Sequence, residues 1–468
     1  MATEAPTRLR RTLSVKDLIV YGLLFIGPTA PMGVFGVLDA KSGGATGLVF
    51  VVATVAMGFT AWSYARMSAA VPRAGSVSAY ATAGIGRWPG FFAGWMASLD
   101  YLFIPAVAAL FTGIATHSLV SGIPTWLATG VAILVFTALN LAGVRLAARV
   151  GLIMLVIEVV VLGMFIVGAI VVLVQDGPSR GWLTPLTSTS DLAVSGVLSA
   201  VSVAVLSFLG FDAIASFAEE NSGGSRQVGR AVLFCLALAG LLFVAQTYLA
   251  DLISNVSPQH LAAHPDEQGT AFYSIIRSAI GGWFGTTVSA TKAVGPIFSA
   301  LVAQAAASRL LYGMARQGHL PAWLGRISPA SRTPRPAILL SAGATLALSV
   351  WAATQPDGLD TLSSMVTVGA LSAFVLLHAS VFGYFVVRRE SRAGTRGSLL
   401  AAVVVPVLGV AIIIALLVTA SHLALVVAAC WLAIGVAVAV ARYLTGHRGG
   451  PDATPSQPGR PVDARTTP

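Results

Sequence analysis

Leu206-Ser-Phe-Leu-Gly-Phe-Asp-Ala-Ile-Ala-Ser-Phe-Ala-Glu-Glu220 decides how this chain is read. An apolar run that begins near Leu192 reaches Gly210-Phe211-Asp212 and loses its uniform character there. A carboxylate at the centre of a membrane-spanning helix costs roughly 2.5–3.5 kcal/mol on insertion scales. An acid in that position faces a cavity, a partner or a pathway. Gly210, two residues before it, lowers the cost of interrupting the helix. Two readings follow from the stretch alone. It is a discontinuous membrane helix at the centre of a transport site, or a kinked helix whose Asp212 bonds a neighbouring hydroxyl.

The rest of the chain supplies the apolar setting. Of 468 residues, 56% are hydrophobic and 10% charged, whereas soluble domains carry about 25% charged residues. A spanning helix needs about 20 apolar residues, and the sequence predicts twelve such spans. They lie near 17–38, 45–66, 89–115, 124–143, 150–174, 193–217, 229–252, 283–312, 337–354, 362–387, 398–419 and 422–444. The expectation is an all-α polytopic membrane protein in a lipid bilayer. A basic tail precedes it at 1–16, and a Pro-, Gly- and Thr-rich tail at 445–468 reads as disordered. The first run is long, holds two prolines and lacks a small-residue cleavage site, so it is not read as a signal peptide. Cys235 and Cys430 both fall in apolar runs, so no disulfide framework is indicated.

Charge placement gives the orientation. With these spans, 24 of the 28 lysines and arginines fall on one side and only Lys41, Arg180 and Arg277 on the other. Lys292 lies inside a span. The positive-inside rule then puts both termini in the cytoplasm. The net charge of +10 is thereby an orientation device and not a nucleic-acid surface. The 25 arginines against 3 lysines fit a GC-rich bacterial genome, which points to a bacterial cytoplasmic (inner) membrane and leaves the glycosylation match at Asn255-Val-Ser257 little weight.

The first span carries its own interruption, Phe25-Ile-Gly-Pro-Thr-Ala-Pro-Met-Gly33. Pro28 and Pro31 each remove a backbone donor, and Gly27 and Gly33 soften the flanks. Spans one and six are five apart, so a second five-helix unit would sit inverted in the membrane. Paired interruptions at matching places in two halves point to a transporter site; two unrelated kinks are the alternative.

The chain resembles the amino acid–polyamine–organocation permeases, and within them the bacterial putrescine importers. The resemblance rests on Tyr21-Gly-Leu-Leu-Phe-Ile-Gly-Pro28, Pro72-Arg-Ala-Gly-Ser-Val-Ser-Ala-Tyr80 and Gly94-Trp-Met-Ala-Ser-Leu-Asp-Tyr-Leu-Phe-Ile-Pro105. It continues through Ser207-Phe-Leu-Gly-Phe-Asp212 with Glu219-Glu220, and Ser308-Arg-Leu-Leu-Tyr-Gly-Met-Ala-Arg316. It implies a LeuT-like fold of ten helices in two inverted five-helix repeats, with helices one and six discontinuous and two further C-terminal helices. The repeats would cover 17–174 and 193–390, with an extracellular loop at 175–192 and helices 11 and 12 within 391–444. It also implies uptake of a small amine or amino acid, driven by an ion gradient that is usually of protons. No enzyme activity and no cofactor are expected.

Asp100, Glu158, Asp212 and Lys292 lie well inside spans, three acids against one base. That excess suits a cation. A diamine would fit a slot between Asp100 and Asp212, with Tyr101 and Phe211 as its aromatic wall. Gly27, Pro28, Thr29 and Ala30 at the first break, with Phe208 and Gly210 at the second, complete the expected substrate contacts. Tyr101 stands in a stretch that looks like the importers' third-helix motif. Glu158 is the candidate to take a proton outside and release it inside; its alternative role is as an ion partner for Lys292. Many permeases of this family carry a lysine at the matching place, where its ammonium stands in for sodium.

Two features disagree about the substrate. Pro28 and Pro31 remove N–H groups that would cradle a carboxylate, which favours an amine. Gly33 stands where the importers carry an aspartate, and Lys292 also departs from their pattern, which favours an amino acid with Lys292 near its carboxylate. Glu219 and Glu220, with Arg226 and Arg230, form either an inner gate of ion pairs or a solvated loop. His378 is either a proton shuttle or a hydrogen-bonded core residue. Gly223-Gly224 is not followed by Gly-Lys-Ser/Thr, so an ATP-driven pump is unsupported, and no metal-ligand spacing is present. A facilitative channel and a sensor that binds without transport remain the competing classes.

Overall fold

The computed structural model describes residues 14–71, 76–142, 147–189, 193–216, 222, 225–316, 320–328, 333–388 and 396–444. The helices are α1 Val15–Ile26, α2 Pro31–Ser42, α3 Thr46–Ala70, α4 Ser76–Gly84, α5 Arg87–Leu119 and α6 Thr125–Ala142. They continue with α7 Ala147–Gln175, α8 Thr184–Thr187, α9 Val194–Ala204, α10 Ala213–Ser216, α11 Ser225–Leu252 and α12 Pro258–Ala263. The last are α13 Ala271–Ala279, α14 Gly282–Arg316, α15 Arg335–Ala352, α16 Gly358–Phe382, α17 Arg396–Val418 and α18 His422–Leu444. Among the described residues there is no strand. Among the described residues, ten helices are long and apolar enough to cross a membrane, and α1 with α2 passes the same test as a bent pair. The chain is a multi-pass membrane protein. Against twelve expected spans, the described residues thus hold ten continuous helices and one bent pair as candidates, up to eleven, with a shorter apolar piece at Val194–Phe208.

Both interruptions are visible. Ser14 opens α1 with a reciprocal cap, its hydroxyl accepting from the Asp17 amide while the Asp17 carboxylate accepts from the Ser14 amide at 2.8 Å. The helix stops at Gly27, whose φ of 72° turns the chain left-handed. Pro31 then occupies the first position of α2, where its missing N–H costs nothing. The axes of α1 and α2 differ by 53°. In the sixth segment α9 tightens into a 3₁₀ turn at Val205–Phe208, and Leu209 is extended. Gly210 follows at a φ of 112°, and helix resumes only at Ala213. A Cβ on Gly210 would lie 2.8 Å from the Phe25 Cβ and 3.1 Å from its backbone carbonyl carbon, so the two breaks touch.

Several short helices went unread in the sequence. The helix α4 packs on α5 and α16, α12 packs on α2, and α13 packs on α14 and α2. In α13 the burial of Phe272, Tyr273, Ile275 and Ile276 on one side holds nine residues helical. The lipid-type exterior is clearest on α7, where Ile153, Val156, Val159 and Val160 are exposed. Polar side chains fasten the interior. Asn140 donates to Gln304 at 2.7 Å and Gln304 to Thr137 at 2.9 Å, tying α6 to α14. Trp95 and Trp431 stack 4.9 Å apart, and each indole N–H donates to the other's carbonyl, at 2.8 and 2.9 Å. That pair fixes α18 on α5.

Candidate functional site

A cavity of about 100 Å³ opens at the first break. Gly27 and Ala30 line it from the break, Ile104 and Phe111 from α5, Glu158 from α7, Leu209 from the second break and Lys292 from α14. A wider hollow of about 230 Å³ beside Lys41, Ser188 and Gln259 lies at the loop end of α2 and holds no carboxylate in its lining. Of these two, the first combines both breaks with buried charge, which is where a membrane carrier binds its substrate.

Thr29 organises the charged end of this cavity. Lys292 donates to the Thr29 carbonyl at 3.2 Å and lies 3.5 Å from its hydroxyl. Glu158 is within hydrogen-bonding reach of the Thr29 amide and hydroxyl and within electrostatic reach of Lys292. The carboxylate and the ammonium meet the same residue without forming a direct ion pair among the described residues. The helix break explains why Thr29 can serve both: its peptide groups are outside the regular ladder. Gln246 of α11 donates to the neighbouring Pro28 carbonyl at 3.0 Å for the same reason. Phe111 leans over this end, with the Lys292 ammonium 5.8 Å from its ring centroid. It also fills the place beside Gly33, where a Cβ would come within 2.7 Å of the ring.

Asp100, Tyr101 and Asp212 form a second cluster next to the cavity, within electrostatic reach of one another. They do not line the cavity itself. Ile104, one turn beyond Asp100 and Tyr101 on α5, and Leu209, three residues before Asp212, do. Asp212 accepts from the Gly210 amide at 3.2 Å, so the carboxylate closes the turn that the broken helix leaves. Asp100 is 5% exposed, and its Oδ1 has no hydrogen-bond partner among the described residues.

The two phenylalanines expected at the site are core residues in this conformation. Phe211 is fully buried and packs edge-on to Tyr64 at 5.8 Å. Phe208 sits against Phe50 and Phe243. His378 is held at 2.9 Å from the Ser63 hydroxyl and 3.3 Å from Thr60, both on α3. Glu219 and Glu220, named for a gate with Arg226 and Arg230, lie outside the described residues.

One charged group escaped the sequence reading. Arg180, after α7, donates to both Asp39 oxygens at 2.8 and 2.9 Å and to Asp251 at 2.7 Å. Asp251 also accepts from the Thr46 amide at 3.2 Å and from the Thr46 hydroxyl. Burial works against the Arg180 charge, but hydrogen bonding and attraction from Asp39, then Asp251, outweigh it and hold the guanidinium above its ordinary range. This knot joins the ends of α2 and α11 to the start of α3. Nearby, Lys41 and Asp360 pair at 2.9 Å, joining α2 to α16.

Broken helices around a charged internal cavity are the arrangement of a membrane transporter. The amino acid permease family model matches residues 18–446, and the chain belongs to that family. It is 29% identical over 409 residues to the low-affinity putrescine importer PlaP of Escherichia coli, covering 86% of each chain. It is 27% identical over 402 residues to the branched-chain amino acid permease BcaP of Bacillus subtilis, covering 81% of this chain and 82% of that one. The methylthioribose transporter of Bacillus subtilis is 24% identical over 423 residues, with 86% and 87% covered.

Proposed function

We propose that this protein is a secondary active transporter that imports a small amine or an amino acid across a bacterial cytoplasmic membrane, coupled to proton movement and working by alternating access. The observation that carries this reading is the cavity at two touching helix breaks, with Glu158 and Lys292 at one end and the Asp100–Asp212 pair beside it. In this reading the full span count is twelve. Residues 17–174 and 193–390 form the two inverted repeats, and helices 11 and 12 follow. Both termini lie in the cytoplasm, which places Arg180, Lys41 and Asp360 at the outer end.

Putrescine and branched-chain amino acids are both substrates named for relatives. The site supports an ammonium in either case. Lys292 beside Thr29 offers a partner for a carboxylate, and Phe111 occupies the space next to Gly33 that an aspartate side chain would need. Both features favour an amino acid; Asp100 and Asp212 serve either class. Thermal stabilisation of the purified protein by putrescine, cadaverine and the common amino acids separates them, because a ligand of the folded state raises the melting temperature by mass action. Counterflow of the stabilising ligand in proteoliposomes then tests transport. Uptake no greater than in empty vesicles across the whole panel would remove the reading.

A further inference from the structure

We propose that the cytoplasmic end of α3 holds one anionic phospholipid, its phosphodiester on the Arg66 guanidinium between Trp62 and Phe385 and an acyl chain along Gly58. The site takes its ligand from the bilayer and is independent of what the protein carries across it.

Arg66 is a charge that the protein itself leaves unmet. It is half-buried and its Nε is shielded from solvent, yet it makes no hydrogen bond or ion pair among the described residues. Two aromatic rings flank it instead. The guanidinium carbon lies 5.6 Å from the Trp62 ring centroid and 4.6 Å from that of Phe385. Ring faces attract the cation but leave its five in-plane N–H donors without an oxygen. A buried donor left unpaired costs about 1–3 kcal/mol, so an acceptor from outside the polypeptide is expected there. A phosphodiester fits the planar fork of a guanidinium with two parallel bonds.

The position of Arg66 selects a lipid as the source of that phosphate. Val51, Val55, Trp62 and Arg66 recur at steps of four, seven and four residues, which on a helix is one face. Val51 and Val55 are exposed on it. Beside them a Cβ on Gly58 would meet nothing within 4 Å, so an acyl chain can lie against the backbone one turn from Trp62. Arg66 ends this apolar strip. It lies about 30 Å along α3 from Thr46 at 1.5 Å of rise per residue, and that is the thickness of the hydrocarbon core. With both termini in the cytoplasm, as proposed above, this end of α3 meets the headgroups of the inner leaflet. A soluble phosphate or an acidic peptide has no use for the strip; a phospholipid uses both its parts.

The end of α16 builds the other wall. A single π turn, Gly383–Val387, follows α16 and carries Phe385. Close backbone packing on α4 holds that turn in place: a Cβ on Gly383 would collide with the Gly84 carbonyl oxygen, and one on Gly84 with the Ser380 carbonyl oxygen. Arg388 then donates to the Ala83 carbonyl at 2.7 Å, which caps the last turn of α4 and brings a second cation to this end. Among the described residues no acid pairs with either arginine. The local charge is therefore positive and unbalanced, which favours an anionic headgroup over a zwitterionic one.

The test is native mass spectrometry of the full-length protein, with melting temperatures in detergent. The added probes are phosphatidylglycerol, phosphatidylcholine with the same acyl chains, and inorganic phosphate. One phosphatidylglycerol is expected to stay with each protein and to raise the melting temperature, which phosphatidylcholine and phosphate do not. Arg66→Gln removes the charge and is expected to weaken phosphatidylglycerol binding by about tenfold or more. Gly58→Leu fills an open position on the lipid-facing strip and leaves Arg66 in place. It is expected to weaken the same lipid without lowering the melting temperature of the lipid-free protein. An equal rise with phosphatidylcholine overturns the anionic headgroup. An equal rise with inorganic phosphate reveals a free-anion site and overturns the lipid. Undiminished retention of phosphatidylglycerol in either folded variant overturns the placement.

Discussion

Thr29 is the residue at which the chemistry of the first break becomes specific, because an ammonium and a carboxylate both use it. Glu158 reaches it from a helix whose neighbouring residues Val156, Ile157, Val159 and Val160 are exposed apolar side chains. Glu158→Gln keeps the shape and the hydrogen-bonding reach but removes the exchangeable proton. Uptake by that variant is expected to lose its response to an imposed proton gradient, and an unchanged gradient dependence would reduce Glu158 to a structural role. Asp212→Asn is expected to leave membrane insertion intact and cut uptake at least tenfold, read as initial rates normalised to inserted protein; normal kinetics would remove Asp212 from the mechanism. Gly210 has a conformational constraint instead of a chemical one. At a φ of 112° and with Phe25 2.8 Å from where a Cβ would stand, Gly210→Ala is expected to cost about 1–3 kcal/mol, seen as a lower melting temperature. Legibility differed sharply between these residues. An acid in an apolar run announces itself, so Asp100, Glu158 and Asp212 were readable. Their distribution over two neighbouring clusters was not, since nothing in the local pattern says which of three distant helices faces which.

At the scale of elements, the breaks were legible for a local reason: proline and glycine act on their own backbone, and Gly27, Pro28, Pro31 and Gly210 stand next to the interruptions they cause. The Arg180 knot was not legible, because its parts are separated by 141 and 71 residues and each looks like an ordinary charge at a helix end. Its energetics are those of a buried ion cluster, in which removing one partner strands the others. Arg180→Ala leaves Asp39 and Asp251 buried without their cation and is expected to cost about 3–5 kcal/mol, measured as a fall in thermal stability. Asp251→Asn, which keeps the Arg180–Asp39 fork, is expected to cost less. Equal melting temperatures for Arg180→Ala and the parent protein would show that the knot is solvated in the membrane-embedded state.

For the whole molecule, hydropathy and charge asymmetry carry most of the argument. Among the described residues, ten continuous helices and one bent pair correspond to the long apolar runs, and the lysine and arginine bias predicts a cytoplasmic side for both termini. Fluorescent-protein fusions at either terminus are therefore expected to fold and glow, whereas alkaline phosphatase fused at either end is expected to be inactive. An active phosphatase at one end alone would mean an odd number of crossings. The short helices α4, α12 and α13 were missed because each is held by burial against its neighbours, which a window tuned to bilayer thickness does not register.

The contact between Gly210 and Phe25 has a mechanical consequence. The atoms that would meet a side chain at 210 are the first side-chain carbon and the backbone of residue 25, so trimming the phenylalanine ring makes no room. The two interruptions meet with no clearance, as the faces of one bearing do. Any motion that re-angles the half-helix leading to Asp212 must turn the half-helix that ends at Gly27, and the two charged clusters are geared together by torque.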